Sequence, residues 1–181
     1  MDESSRGADG PDAARQAWQR GINAPQTSAV GRLFDAAAAL VLGHTHSSFE
    51  GQGPMWLESC ADASVDAIPL PVTPDEAGVR RIDWSPLVVA LADPERPVSE
   101  RAGLLHASLA EAVAEVTRRL WPRYGSCRVG LTGGVFQNRL LTEQVLERLQ
   151  RAGIEAHLAE RVPCNDAGLS FGQVVEVAAA R

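Results

Sequence analysis

At 181 residues, with 45% hydrophobic and 22% charged side chains, the chain is long enough to bury one sizeable core, and one domain is the default. A net charge of −6 and the lack of any basic run argue against a nucleic-acid surface, since Arg118 and Arg119 form only a pair on one predicted helix. No apolar stretch approaches bilayer-spanning length, the first residues lack the basic end and apolar centre of a signal peptide, and Cys60, Cys127 and Cys164 are widely spaced with no CxxC pair. These features predict a cytoplasmic protein with reduced thiols and no membrane partner.

Residues 1–20 are expected to be a disordered leader, because up to about Gln16 they hold Asp, Gly, Ala, Ser and Arg with no apolar period. A helix follows from Thr27 or Ser28, either of which has the chemistry of an N-cap, to about Leu42, with Val30, Leu33, Phe34, Ala37 and Val41 on one face. A short helix is predicted over residues 54–61, with Pro54 tolerated in its first turn. The proline-rich stretch 67–83 reads as an extended excursion with short strands at 68–72 and 79–84. Ser85 starts a helix to about Ala92, ended by the Asp93-Pro94-Glu95-Arg96-Pro97 cluster.

The best-defined helix covers residues 99–121. Its apolar positions Ala102, Leu105, Leu109, Ala112, Val113, Val116 and Leu120 recur at steps of three and four, and Pro122, Tyr124 and Gly125 are expected to terminate it. Next come a strand (128–132), a double-glycine turn, a helix (138–152) closed by Gly153, a strand (154–158) and a final helix (168–180). The strand-helix-strand-helix ending indicates an α/β architecture with a parallel strand pair.

Chemistry concentrates at two turns. Gly133 and Gly134, between a strand and a helix, let the backbone approach a ligand closely, and the helix start at Asn138 is expected to offer unpaired N–H groups to an anion. A tight strand-helix turn with Asn138 as cap explains the same residues. Asp166 or Asn165 has the chemistry of a cap for the last helix. Gly168 and Gly172, one turn apart, leave a bare stripe where a ligand or a neighbouring backbone can come close. His44 and His46 have the wrong spacing for a helical ligand pair and read as solvated loop residues. His106 borders the apolar stripe of the long helix and reads as a satisfied helix-edge histidine. Nothing near Cys164 in sequence activates it.

The longer strings are more specific. TGGVFQNRLL (132–141) and RVPCNDAGLSFGQ (161–173) resemble the SGGVFQN and NDGG turns at the C-terminal end of the HypF carbamoyltransferases of [NiFe]-hydrogenase maturation. These are related to the tRNA threonylcarbamoyl transferases. GINAPQTSAVGRLFDA (21–36), SFEGQG (48–53), IDW (82–84) and LHASLA (105–110) look like further blocks of that family, in the same order. Residues 21–181 thus resemble the second half of the family's carbamoyltransferase domain.

The resemblance implies one lobe of the actin/Hsp70/sugar-kinase type of fold, helix-rich with a small mixed sheet. It implies nucleotide contacts at Gly133, Gly134 and Asn138, and ribose contacts at Asp35, Gly31 and Glu50. Asp166 is implied as a metal ligand, with iron or zinc held only when the family's upstream HxxxH lobe, absent here, is supplied. The implied activity is transfer of a carbamoyl group from ATP-derived carbamoyl-adenylate to a cysteine thiol of a HypE-like acceptor. The rest of the transferase is then the other expected partner, and no individual catalytic residue is assigned. The alternative is a truncated, non-catalytic nucleotide-binding or interaction module.

Two further expectations follow. Alanine replaces the glycine that follows the aspartate in the familial NDGG, so a positive φ after Asp166 would cost about 1 kcal/mol. An apolar surface is expected around Leu33-Phe34 and Gly168-Gly172, where the absent lobe would pack.

Overall fold

A computed structural model describes residues 10–124 and 128–180. Seven helices are present among them: α1 (Gly10–Gln19), α2 (Val30–Leu42), α3 (Gln52–Cys60), α4 (Ser85–Leu91), α5 (Val98–Tyr124), α6 (Arg139–Arg151) and α7 (Leu169–Ala179). The strands β1 (Val72–Pro74) and β2 (Arg80–Ile82) form an antiparallel hairpin. β3 (Val129–Leu131) and β4 (Ala156–Leu158) form a separate parallel pair, in register Val129 with Ala156 and Leu131 with Leu158. The small sheet is therefore two separate pairs, and the parallel one is the pair expected from the strand-helix-strand ending.

α5 is the axis of the molecule. It packs against α6, α4, α3 and α2, and its segment from Ala102 to Ala110 is buried without interruption. Small residues on this helix let the neighbours close in on it. A Cβ on Gly103 would stand 2.2 Å from the Asp62 carbonyl oxygen, so glycine is required for that contact. Phe34 from α2, Leu57 from α3, Leu87 and Leu91 from α4, and Val145 and Leu149 from α6 complete the core, each 0–1% exposed. Burial of such side chains contributes about 1.5–3 kcal/mol each before entropic costs.

Several boundaries depart from the sequence reading, each for a local reason. Residues 10–19, placed in the disordered leader, form α1; Ala13, Ala14, Arg15, Gln16 and Ala17 are good helix formers, and Ala14, Ala17 and Trp18 fall on one face. α2 begins at Val30 with Ala29 as its N-cap and no side-chain cap, because Thr27 Oγ1 instead accepts from the Ala29 N–H just outside the helix. α5 runs through Pro122 to Tyr124; the proline breaks the ladder at the Arg118 carbonyl, and only two more residues of the helix follow it. Gly125 and Cys127 lie outside the described residues. No helix among the described residues is long and apolar enough to cross a membrane.

Candidate functional site: the double-glycine cleft

The double-glycine turn is held by its backbone. Gly133 has φ +106° and ψ 150°, a conformation open in practice only to glycine. Its N–H donates to the Cys164 carbonyl at 2.7 Å, and the Thr132 hydroxyl donates to the same oxygen at 3.4 Å. The side chain of Cys164 needs no activated role, since its carbonyl ties the turn after β3 to the turn after β4. Gly134 opens a single 3-10 turn (Gly134–Gln137), and the N–H groups of Gly134 and Val135 have no partner among the described residues.

The second turn is equally tight. Asn165, not Asp166, is the cap: its Oδ1 accepts from the Ala167 N–H at 3.2 Å at the head of a 3-10 turn (Asp166–Gly168) that feeds α7. Asp166 is left exposed and uncommitted to the helix. Ala167 is not among the positive-φ residues, so alanine in place of the familial glycine imposes no strain there. Gly168 approaches the neighbouring backbone, because a Cβ there would stand 2.7 Å from the Pro163 carbonyl oxygen. Gly172 faces open space.

The anion site expected at the start of α6 is already filled from within. Glu58 Oε1, from α3, accepts from the N–H groups of Arg139 (2.8 Å) and Leu140 (3.1 Å). Asn138 Oδ1 accepts from the Leu141 N–H at 2.8 Å, and the Asn138 carbonyl accepts from Thr142. With the Asn138 N–H bonded to the Val135 carbonyl, the orphan donors of that helix start are satisfied, two of them by a carboxylate where the helix dipole favours one. Sequence reasoning missed Glu58, because the contact joins residues about eighty positions apart and neither segment signals the other.

Between the two turns and α2 lies a cleft of about 900 Å³. Its walls include Gly31 and Asp35 from α2, Glu50 from the loop before α3, Gly134 and Asn138 from the double-glycine turn, and Asp166. Gly133 sits immediately behind Gly134 as the N-cap of its 3-10 turn. Residues from four separate sequence blocks therefore share one cavity. Arg32, which the sequence reading left out, lies between the acidic groups: its guanidinium is 3.0 Å from Asp35 Oδ2 and 3.9 Å from Glu50 Oε1. The spacing of Arg32 and Asp35, three apart on a helix, is the signal that would have found this pair.

Beneath the cleft, His106 is fully buried. Its Nδ1 is 2.7 Å from the Ala102 carbonyl, its Nε2 is 3.0 Å from Asn138 Nδ2, and the Phe34 ring meets it edge-on at 5.2 Å. It belongs to the core, not to the helix edge, and burial pushes its pKa below the ordinary histidine value.

No group of three or more His, Cys, Asp or Glu side chains suited to a metal ion occurs among the described residues. Asp166 supplies a single carboxylate, one donor of the several that a transition metal needs. His44 Nε2 pairs with the Ser47 hydroxyl, and the His44 ring packs edge-on against Trp56, while His46 Nδ1 pairs with the Thr45 hydroxyl.

Comparison with known proteins decides the family. The family model for the second subdomain of the Kae1-like domain of carbamoyltransferase (HypF_C_2) matches residues 3–173. The chain belongs to this carbamoyltransferase family. Among curated proteins it is 44% identical over 169 residues to carbamoyltransferase HypF of Rhodobacter capsulatus, covering 93% of this chain and 22% of that relative. It is 32% identical to HypF of Synechocystis, covering 92% of this chain and 21% of that protein. Its fold matches a crystal structure of full-length HypF in the phosphate- and nucleotide-bound form with a TM-score of 0.85 at 30% identity, covering 95% of this chain and 23% of that one. The fold is thus one lobe of the actin/Hsp70/sugar-kinase type, and the chain spans about a fifth of the length of these HypF proteins. The family match also reaches into the segment read as a leader.

Proposed function

We propose that this chain forms one wall of the adenylate-binding cleft of a carbamoyltransferase, active when joined to or paired with the rest of the enzyme. The observation that carries the reading is the cleft itself, where Gly31, Asp35, Glu50, Gly134, Asn138 and Asp166 converge. In it, the free N–H groups of Gly134 and Val135 donate to oxygens of the adenylate, and Asp35 and Glu50 accept from ribose hydroxyls. Arg32, between those two carboxylates, holds them in place.

The reaction is acyl transfer. A cysteine thiolate of a HypE-like acceptor attacks the carbamoyl carbon of carbamoyl-adenylate; the C–S bond forms, the bond from carbon to the phosphate oxygen breaks, and AMP leaves with the electron pair. The product is an S-carbamoylcysteine, a thiocarbamate, of use in [NiFe]-hydrogenase maturation. This wall binds and orients the adenylate, and the attacking group comes from the acceptor.

The final helix supports a need for the rest of the enzyme. Every residue of α7 is exposed, including Leu169, Phe171 and Val174 at 57–67%. The other half of the expected apolar surface is absent, since Phe34 is buried and Leu33 half-buried against the core. We assign α7 as the face covered by the remainder of the transferase.

Reconstitution tests the reading. The chain alone, given carbamoyl phosphate and ATP, is expected to release no AMP. Mixed with the remaining domains of a HypF transferase, it is expected to add one carbamoyl group to a peptide carrying the acceptor cysteine, read by mass spectrometry. Transfer that proceeds equally well without this chain would sink the proposal and favour the non-catalytic module.

A further inference from the structure

Three side-chain hydrogen bonds link the buried core to the cleft, and their polarity is determined at both ends. The Leu141 N–H can only donate, so the Asn138 atom that meets it is Oδ1. Nδ2 of the same amide therefore faces His106 Nε2, which must accept. The ring proton then sits on Nδ1, whose partner is the Ala102 carbonyl, an obligate acceptor. A backbone donor in α6 and a backbone acceptor in α5 leave one consistent arrangement for both side chains.

We propose that His106 is a positioning residue of the nucleotide cleft: it locks the Asn138 amide so that the second Nδ2 hydrogen is presented to the ligand as a donor. This inference rests on the cleft being the nucleotide site. That second hydrogen has no partner among the described residues, and Asn138 lines the cleft. The ligand group it selects is an acceptor, such as a ring nitrogen or a phosphate or hydroxyl oxygen.

A flipped amide would oppose two donors at Leu141 and leave His106 without its partner, breaking the cap of α6 as well. A protonated His106 would do the same by placing an Nε2–H against the Asn138 NH₂. Burial holds the ring neutral against this, while Glu58, the charged group that faces it, pulls the other way. Phe34, packed on the ring, brings no charge.

The ¹⁵N-labelled 181-residue chain at neutral pH gives the first readout. Long-range ¹H–¹⁵N correlation should show His106 with a protonated Nδ1 and a bare Nε2. A ring protonated at Nε2, or at both nitrogens, overturns the proposal.

AMP titration followed by amide shifts is the second. His106→Gln keeps a side-chain oxygen that can accept from Asn138 and should hold AMP near the parental affinity. His106→Leu, which cannot accept, should lose about tenfold, the worth of one hydrogen bond. Equal affinity of parent, Gln and Leu chains overturns the positioning role. If the parent shows no AMP shifts at all, the nucleotide reading of the cleft fails and this role fails with it; AMP shifts in the parent with no difference among the variants overturn the positioning role alone.

Discussion

Helices α5 and α7 have opposite fates, although α7 is the more apolar of the two. In α5, Leu105, His106, Ala107 and Ser108 are wholly buried in succession, so that helix is enclosed on all sides over two turns. In α7, no residue is buried, although Leu169, Phe171, Val174, Val175 and Val177 are large and apolar. α5 is stabilised by contacts made within the chain. α7 is secured at its first turn, by Gly168 against Pro163 and the Asn165 cap, and its apolar side chains stay exposed among the described residues. An apolar helix thus becomes core only where the chain itself supplies the facing surface.

The largest effects should separate these two helices. Leu105→Ala removes a side chain with no exposure and should cost about 2–5 kcal/mol, read by urea denaturation. Val174→Ser, at 67% exposure, should leave the unfolding midpoint within about 0.5 kcal/mol. The exposed apolar surface of α7 should make the isolated chain self-associate in light scattering, and Val174→Ser should weaken that association. A Val174→Ser chain destabilised as much as Leu105→Ala would mean that α7 is packed in solution and that the contrast is false.

The cleft wall comes next. Gly133→Ala forces a side chain into φ +106°, which should cost about 1–3 kcal/mol and disturb the hydrogen bond to Cys164. Gly134→Val differs, since an added Cβ meets nothing nearer than 3.8 Å. That chain should melt near the parental temperature and lose AMP binding, because its side chain projects where the ligand meets the backbone. A Gly134→Val chain that binds AMP as the parent does in a calorimetric titration would place the nucleotide elsewhere.

This separation of strain from occlusion was only partly readable in the residues. The two glycines and Asn138 marked the turn, and the four blocks that converge on the cleft stood in the sequence as separate strings. The 3.6-residue period exposed α5 because its burial is local and regular. Glu58 left no trace, since a carboxylate on a short helix looks solvated until α6 is set against it. His106 looked like an edge residue because periodicity counts apolar neighbours and cannot register the Asn138 amide about thirty residues on. α1 leaves a fainter mark: it is only ten residues long, and the residues on its one-sided face are mostly alanine.

A smaller effect tests the buried side of the comparison through pH. The unfolded chain protonates His106 near its ordinary value of 6.5, while burial pushes the folded value lower. The unfolded state therefore binds more protons in that interval, and stability falls as pH drops below about 6.5. The slope from this one group should not exceed about 1.4 kcal/mol per pH unit, levelling off once the folded ring protonates. His106→Gln should remove that component from urea midpoints measured between pH 7 and 5. An unchanged slope would mean that the ring is solvated and the floor of the cleft is open.

The smallest effect distinguishes two adjacent residues at the root of α7. Asn165 caps the 3-10 turn by accepting from Ala167, so Asn165→Ala should cost about 1 kcal/mol. Asp166 has no such bond, and Asp166→Ala should leave the stability of the isolated chain within about 0.5 kcal/mol. Its carboxylate lines the cleft without serving the fold, which is the condition for a residue kept for a ligand. In the reconstituted enzyme the order should reverse, with Asp166→Ala abolishing carbamoyl transfer and Asn165→Ala reducing it only in step with stability. Paired melts and transfer assays on the two variants check both halves. If Asp166→Ala retains full transfer, its carboxylate is a bystander at the rim of the cleft, and the adenylate is held by the double-glycine turn and α2 alone.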